Sequence, residues 1–458
     1  MTYEPPPGLM VSVSGLRGKV GEALDPLVVT RYAAAFGTYL YNEAGGPPTV
    51  LLGRDSRTSG QLLARSVTAA LEGVGCTVID VGLAPTPTTL MAVRHHQADG
   101  AVVVTASHNP VEWNALKLAS SAGMFLDAEQ AAAMQAYVDA PVWRGWDGIG
   151  RRTTDDGAVA RHVEAIQALS YIDVPAIRER GFRVALDCVR GAGAVTFPEL
   201  LDALGCDVRG INLEPDGRFP RKPEPVAGNL GELESLVRES GADIGIATDP
   251  DGDRLSLVDE NGRAIGEDYT LALAARLVLK HRAGPVVTNL STSRVVEDVA
   301  TDANAPFFRA PVGEINVARR MEAEGAVIGG EGNGGVILPD IHLTRDAHVA
   351  AALVLQLLLE TGATVSELVA SSPVYAIVKD SVPRPEGPLE PAYDLLAERL
   401  EADVEDRQDG LWLGWPDAGR WLHFRPSGTE PIVRMIAEAR DEAGARALVD
   451  AARAAMNR

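Results

Sequence analysis

Four polar segments hold the residues whose types and spacing could do chemistry. In Thr105-Ala106-Ser107-His108-Asn109-Pro110 a hydroxyl follows an apolar run, with a histidine beside it and a proline stiffening the exit. A serine so placed suits attack on phosphorus or on a carbonyl carbon, and it equally suits a turn that caps the next helix. Adjacency of Ser107 and His108 does not choose between these, because neighbouring residues on a strand face opposite ways. In Asp249-Pro250-Asp251-Gly252-Asp253-Arg254 three carboxylates alternate around a glycine and can converge on one hard cation. The segment begins like an EF-hand loop, but its twelfth position, Glu260, follows strand-like LSLVD rather than a run of ligands. Three anions with positions left open for phosphate oxygens suit Mg2+; a solvated acidic turn is the plain alternative.

The third segment, Gly329-Gly330-Glu331-Gly332-Asn333-Gly334-Gly335, lets backbone approach a ligand closely while offering one carboxylate and one amide. It has no lysine in Walker spacing, which excludes a P-loop reading. Glu331 and Asn333 suit the hydroxyl or amino groups of a sugar, since they accept and donate without the positive charge a phosphate needs. The fourth, Phe424-Arg425-Pro426-Ser427-Gly428-Thr429-Glu430-Pro431 followed by Arg434, combines guanidinium groups, hydroxyls and a pliant backbone, the inventory for a phosphate dianion. Two further stretches support these. Ser14-Gly15-Leu16-Arg17-Gly18-Lys19 sets two cations among glycines, and in Gly53 to Gly60 local pairing of Asp55 with its arginines explains the residues as well as function does.

Elements that could position such loops recur along the chain. A first strand leads into a polar turn in TVLLGRDSR (49–57), RVALDCVRGAG (183–193) and PVVTNLSTSR (285–294), with an Ala/Leu-rich helical pattern after each. A later apolar strand ends in a functional loop in ADGAVVVTASHNP, ADIGIATDPDGDR and EGAVIGGEGNGG. Alternating strands and helices of this kind indicate an α/β class with mostly parallel sheets, whose ligands bind beyond the carboxyl ends of strands. After Pro373 the pattern changes to VYAIVKDSV, a helix from about Tyr393 to Ala402, strands at LWLGW and WLHFRPSG, and a final Ala/Arg-rich helix, a smaller α+β unit. Domains are expected over 1–150, 151–260, 261–370 and 371–458, with linkers near 143–156, 259–267 and 371–373.

A chain of 458 residues exceeds one hydrophobic core, and its 46% hydrophobic and 23% charged residues are those of a globular protein. No stretch reaches the roughly 18 consecutive apolar residues of a membrane span. The start, MTYEPPPGLM, has neither a basic nor an apolar signal region, so a cytoplasmic location is expected. Cys76, Cys188 and Cys206 are widely spaced in apolar sequence and read as reduced thiols. A net charge of -21 repels nucleic acid and anionic membranes, so an anionic substrate needs a local cationic pocket.

With Ser107, the three aspartates, the glycine-flanked Glu331 and the RPSGTEP segment in this order, the sequence resembles the α-D-phosphohexomutase superfamily over essentially its whole length. The resemblance implies three similar mixed or parallel α/β/α domains and a smaller α+β C-terminal domain around a central cleft. It implies that Ser107 is phosphorylated in the active enzyme and that Asp249, Asp251 and Asp253 hold Mg2+ together with a phosphoserine oxygen. Arg17, Lys117 and Arg254 would neutralise the transferring phosphoryl group or assist proton movement, and Arg425, Ser427, Gly428, Thr429 and Arg434 would grip the phosphate that is not reacting. A hexose 1,6-bisphosphate is the implied intermediate and activator, a hexose or hexosamine phosphate the substrate, and the chain a monomer or homodimer.

The sequence departs from the pattern in the third loop. Many glucose- and mannose-directed relatives read Glu-x-Ser-Gly-His there, whereas this chain has Asn333 for the serine and Gly335 for the histidine. His108, Lys117 and His342 are left as candidates for the missing proton-transfer group. GGEGNGG, with SVSGLRGKVG and VGEINVA, is most similar to the phosphoglucosamine mutase branch typified by archaeal sequences, a phosphomannomutase or phosphoglucomutase being the alternative. A metal-dependent phosphatase would lack the second phosphate grip, and a non-enzymatic sensor would have lost Ser107 or an aspartate; neither is the case.

Overall fold

The same four strands are laid down three times. The computed structural model describes residues 3–428 and 432–456. In the first unit, β1 (Met10–Ser12), β2 (Gly15–Lys19), β3 (Thr49–Arg54), β4 (Thr77–Leu83), β5 (Gly100–Val104), β6 (Trp113–Ser120) and β7 (Arg151–Thr154) form one sheet in the order β1-β2-β6-β5-β3-β4-β7. The second unit has β8 (Arg183–Asp187), β9 (Asp207–Ile211), β10 (Ile244–Thr248) and β11 (Leu255–Val258) in the order β11-β10-β8-β9. The third has β12 (Val286–Asn289), β13 (Phe307–Ala310), β14 (Ile328–Glu331) and β15 (Gly335–Ile337) in the order β13-β12-β14-β15.

In the recurring sets β3–β6, β8–β11 and β12–β15, the first strand pairs in parallel with the second and third, and the fourth returns antiparallel on the third. The functional loops are therefore hairpins between third and fourth strands. β5, β10 and β14 are buried along their whole length, as expected of central strands covered on both faces. A continuous apolar run followed by polar residues thus marks the point where the chain emerges from the core.

Helices cover the sheets. The helix Pro26–Glu43 starts at Asp25, whose carboxylate accepts from the amides of Leu27 and Val28, with proline in the first turn. The helix Ala347–Thr361 is buried from Ala347 to Leu358, and one apolar cluster runs from Val163 to Leu368, so the second and third units share a core. The fourth unit is a fully antiparallel sheet of β16 (Ala376–Pro383), β17 (Val404–Asp406), β18 (Leu411–Trp415), β19 (Arg420–Pro426) and β20 (Ile432–Ala439), with helices Glu390–Leu400 and Glu442–Met456. Leu290, Trp412 and Trp421 pack it against the third unit.

Two local differences from the sequence expectation have simple causes. β7 lies within the segment expected to be a linker and pairs with β4; its residues, RRTT, are all exposed and carry no apolar signal. Gly15 to Lys19 of the SGLRGK stretch form the strand β2, which pairs with β6 and so carries Arg17 to the Ser107 loop. Cys76 and Cys188 are buried free thiols and Cys206 a partly buried one.

Candidate active site

Ser107 sits in the β5–β6 loop with φ of +47°, a left-handed conformation that costs a side-chain-bearing residue about 1–3 kcal/mol and persists only where its surroundings enforce it. The enforcement is visible. Its amide donates to Thr105 Oγ1 (3.0 Å), whose hydroxyl donates to Asp55 Oδ2 (2.6 Å). Asp55 in turn accepts from Arg57 Nε (3.0 Å), and the Arg57 guanidinium donates to the carbonyls of Ser107, Asn109, Pro110 and Trp113 at 2.6 to 3.0 Å. The Asp55–Arg57 pair is buried and builds the loop without facing its hydroxyl.

The Ser107 hydroxyl donates to Asp249 Oδ2 at 2.6 Å, joining the first loop to the second. Asp249, Asp251 and Asp253 are wholly buried, and one oxygen of each lies within 4.8 Å of the others. Asp251 Oδ2 accepts from Thr86 Oγ1 (2.6 Å) and Lys117 Nζ (2.7 Å), and Lys117 also lies 3.5 Å from Asp253. Arg254 donates its amide to Asp249 (3.3 Å), stands 3.8 Å from Asp253 Oδ1 and reaches Glu224 at 3.2 Å. Arg17 is held to Asn109 Oδ1 at 2.7 Å.

Burial raises the pKa of the Asp249 carboxyl well above the ordinary value, helped by Asp253 and Asp251. Burial opposes ionisation of Asp251 too, but there the Lys117 ammonium prevails and holds it below the usual range. Lys117 is likewise raised against its desolvation by Asp251 and Asp253, so it stays charged. His108, with Nδ1 3.4 Å from the Ser107 hydroxyl, is pushed well down by Arg254, then by burial and Arg17, and is neutral.

The donor set fits magnesium. Asp251 Oδ1 and Asp253 Oδ1 are buried without a hydrogen-bond partner, and such orphaned carboxylate oxygens beside a third carboxylate call for a hard cation. A second group of metal-ligand types, His162, Asp346 and His348, is held together by its own contacts, with His348 Nε2 left without a partner. Asp346 accepts from His162 and His342 at 2.8 Å each and faces His348 Nδ1 at 3.2 Å. His342 is thereby committed to Asp346 and 2% exposed.

In the third loop Glu331 accepts from Asn289 (2.8 Å), the Gly313 amide (3.2 Å), Arg345 (2.6 Å) and Asn333 (3.3 Å), so both its oxygens are occupied. Arg345 keeps its carboxyl below the usual range against the cost of burial. Arg345 also reaches Asp253 at 2.6 Å, linking the metal and glycine-rich loops.

Of the fourth segment, Arg425 donates to Asp409 at 2.8 Å, and Asp409 accepts from the Val312 amide at 2.9 Å, next to the Gly313 that faces Glu331. Arg434 stands across the sheet from Arg425. Ser427 is 8% exposed, Gly428 is exposed with open space around it, and Thr429 lies outside the described residues. Ser107, His108, Arg17, Lys117, Arg254, the three aspartates, Glu331 and Asn333 are thus joined by contacts, and Arg425 is tied to them through Asp409. Sequence reasoning missed Arg345, Glu314 and Thr86, which come from other segments; a signal existed for the first, since a glycine at 335 leaves room for a neighbour.

Hairpin loops of this content on three repeated α/β/α units, with a fourth antiparallel unit alongside, define a phosphohexomutase. Family models described as phosphoglucomutase/phosphomannomutase α/β/α domains I, II and III match residues 9–143, 160–262 and 266–375, and the C-terminal domain matches 378–455. The chain belongs to this phosphoglucomutase/phosphomannomutase family and is a mutase. It is 38% identical to a probable phosphoglucosamine mutase of Methanopyrus kandleri, covering 97% of this chain and 96% of that one. It is 39% identical to a phosphoglucomutase/phosphomannomutase of Thermococcus kodakarensis, covering 96% of each. A crystal structure of a phosphoglucomutase/phosphomannomutase family protein from Burkholderia thailandensis matches with a TM-score of 0.84 at 26% identity over 98% of both chains. The Aspergillus fumigatus N-acetylphosphoglucosamine mutase, solved with GlcNAc-6P and magnesium, shares the fold with a TM-score of 0.60 at 16% identity over 99% of this chain and 96% of that one. No described helix is long and apolar enough to cross a membrane.

Proposed function

We propose that the chain is a phosphoglucosamine mutase, interconverting glucosamine 6-phosphate and glucosamine 1-phosphate through a phosphorylated Ser107. The observation that carries the phosphoryl-transfer reading is the 2.6 Å contact between the Ser107 hydroxyl and Asp249 of a buried, partly orphaned carboxylate triad. Asp249, Asp251 and Asp253, with Ser107, are the residues that would hold Mg2+, which when bound neutralises charge on a phosphoryl group. For the sugar, the Glu331 carboxylate and the Asn333 amide suit an amino group and hydroxyls, and probable phosphoglucosamine mutases stand among the relatives.

A free sugar hydroxyl attacks the phosphoserine phosphorus, forming a new P–O bond as the bond to Ser107 Oγ breaks. Neutral His108, its Nδ1 3.4 Å from Ser107 Oγ, relays the hydroxyl proton to the departing serine oxygen, while Lys117, already charged, serves as a fixed cation with Arg17 and Arg254 facing the same loop. The product is a hexosamine 1,6-bisphosphate. After it turns over, its other phosphate returns to Ser107 and the isomerised monophosphate leaves. Arg425, Ser427, Gly428, Thr429 and Arg434 hold the phosphate that is not reacting, and one such grip serves both orientations.

The resemblance to the Thermococcus kodakarensis enzyme favours glucose or mannose phosphates as the second reading. A coupled assay with glucosamine 6-phosphate, mannose 1-phosphate and glucose 1-phosphate, each with Mg2+ and a trace of the matching bisphosphate, separates the two. Fastest turnover of glucosamine 6-phosphate is expected. Preference for either neutral sugar selects the second reading, and no isomerisation by an enzyme shown to be phosphorylated on Ser107 sinks the mechanism.

A further inference from the structure

Position 335 is glycine for a reason that lies elsewhere in the chain. Its φ is outside the left-handed region, so any residue could adopt its backbone, yet a Cβ there would stand 2.1 Å from Cδ and 2.8 Å from Cγ of Arg345. Gly335 is also the residue directly opposite Glu331 in the β14–β15 pair, where a side chain would ordinarily lie against its cross-strand partner. The Arg345 side chain passes through that space from the loop after β15. At its far end the guanidinium meets three carboxylates from three segments: Asp253 Oδ2 at 2.6 Å, Glu331 Oε2 at 2.6 Å and Glu314 Oε2 at 3.1 Å. Glu314 also accepts from the Arg345 amide at 3.0 Å and from the Thr344 hydroxyl, which fixes the base of the side chain as firmly as its tip.

We infer that Arg345 is a positioning residue that holds Asp253 of the cation-binding loop and Glu331 of the sugar-facing loop in one frame, and that position 335 carries glycine so that this side chain can pass. The geometry is specific to arginine. A planar fork can bond two carboxylates in different directions while its charge stands 3.1 Å from a third as an ion pair, whereas a lysine ammonium is a point charge. Since one guanidinium orients both carboxylates, occupancy of the cation site and binding of sugar become linked, and linkage of this kind is reciprocal. Sugar phosphate should tighten Mg2+, and Mg2+ should tighten sugar phosphate by the same factor.

The inference rests on the assignment of the aspartates to Mg2+ and of Glu331 to the sugar, but not on which hexose is preferred. Calorimetric titration of the unphosphorylated protein with Mg2+, with and without glucosamine 6-phosphate, and in the reverse order, reads the linkage without turnover. The wild type is expected to show a reciprocal tightening of about fivefold or more. Arg345→Lys should abolish that tightening and weaken Mg2+ about tenfold. Gly335→Ala, which displaces the side chain without touching its charge, should do the same. Because both changes remove one arrangement, the double variant should be no worse than the poorer single variant.

Additive losses in the double variant, or wild-type linkage in Gly335→Ala, would overturn the inference. Should Arg345→Lys not fold, Gly335→Ala alone decides. Asp253→Asn separates the underlying assignment: unchanged Mg2+ affinity in that variant refutes the metal site itself, whereas weakened affinity there with unaltered linkage in Gly335→Ala refutes only the role given to Arg345.

Discussion

The hairpin loops at 249–254 and 332–334 occupy the same place in two units of one topology, yet they are electrostatic opposites. The first gathers three buried carboxylates and leaves two oxygens unpartnered. The second follows one carboxylate, Glu331 at the end of β14, with both oxygens satisfied by Asn289, Gly313, Arg345 and Asn333. Under the function proposed above, the difference teaches how one scaffold would serve two kinds of ligand, a cation and a sugar. A loop that awaits a cation can be left unfinished, because the ion completes it on arrival. A loop that takes a neutral or weakly charged sugar must be complete without it and exchange hydrogen bonds on binding. The weakest of its bonds, Asn333 to Glu331 at 3.3 Å, is the one best suited to exchange.

Four changes break or sharpen this contrast, and the largest acts on the group that the unfinished loop holds. Ser107→Ala should lower turnover at least about a thousandfold, as loss of a covalent carrier does, in steady-state assays of the protein shown to be folded. Turnover like the wild type would move suspicion to His108. Within the metal loop, Asp251→Asn removes a charge that Lys117 and Thr86 hold at 2.7 and 2.6 Å, and Mg2+ affinity should fall about a hundredfold by calorimetry. An unchanged affinity would mean that this loop is not the cation site.

On the complete side, Asn333→Ser leaves Glu331 its three stronger partners, so the effect should be smaller and of another kind. KM for glucosamine 6-phosphate should rise about tenfold with kcat changed less, the sign of uniform binding lost. A fall in kcat alone would place Asn333 in the transition state rather than in recognition. The smallest effect concerns Asp268, which lies against Gly332 and whose Oδ1 accepts the Ser293 amide at 2.8 Å. Burial raises its carboxyl to about 7, only partly offset by Lys379. A raised folded-state value means that its stabilising contribution is present below the ordinary carboxylate pKa, near ~3.9, and is lost as pH climbs through about 7. Asp268→Asn should therefore gain unfolding midpoint relative to wild type between pH 5 and pH 8. A difference that does not change with pH would show that the group does not titrate there.

What could be read from the sequence follows from where the signals are local. β5, β10 and β14 are short apolar runs that break into polar loops, so the strand, its end and the chemistry after it lie within a few adjacent residues. The threefold repeat, the α/β class and the distinct last unit were legible for that reason. Arg345 was not, because the evidence for it is split between an unremarkable arginine and a glycine ten residues earlier, and only the fold lays one over the other. The sequence leaves Asp55 and Arg57 open between structure and function, since a pair two residues apart can close on itself; here it does so while its spare donors reach the Ser107 loop. β7 had no apolar alternation to announce it, being exposed on an edge.

Arg57 has a mechanical consequence. All of its N–H groups are used: one on Asp55 and the rest on four carbonyls of a single loop, in a side chain that water does not reach. That loop has no soft mode of its own, because moving Ser107 sideways requires several charge-assisted bonds to yield at once. Ser107 is thus mounted like an anvil, and under the proposed function any travel demanded by a substrate that presents first one end and then the other falls to the substrate and to the segments around it.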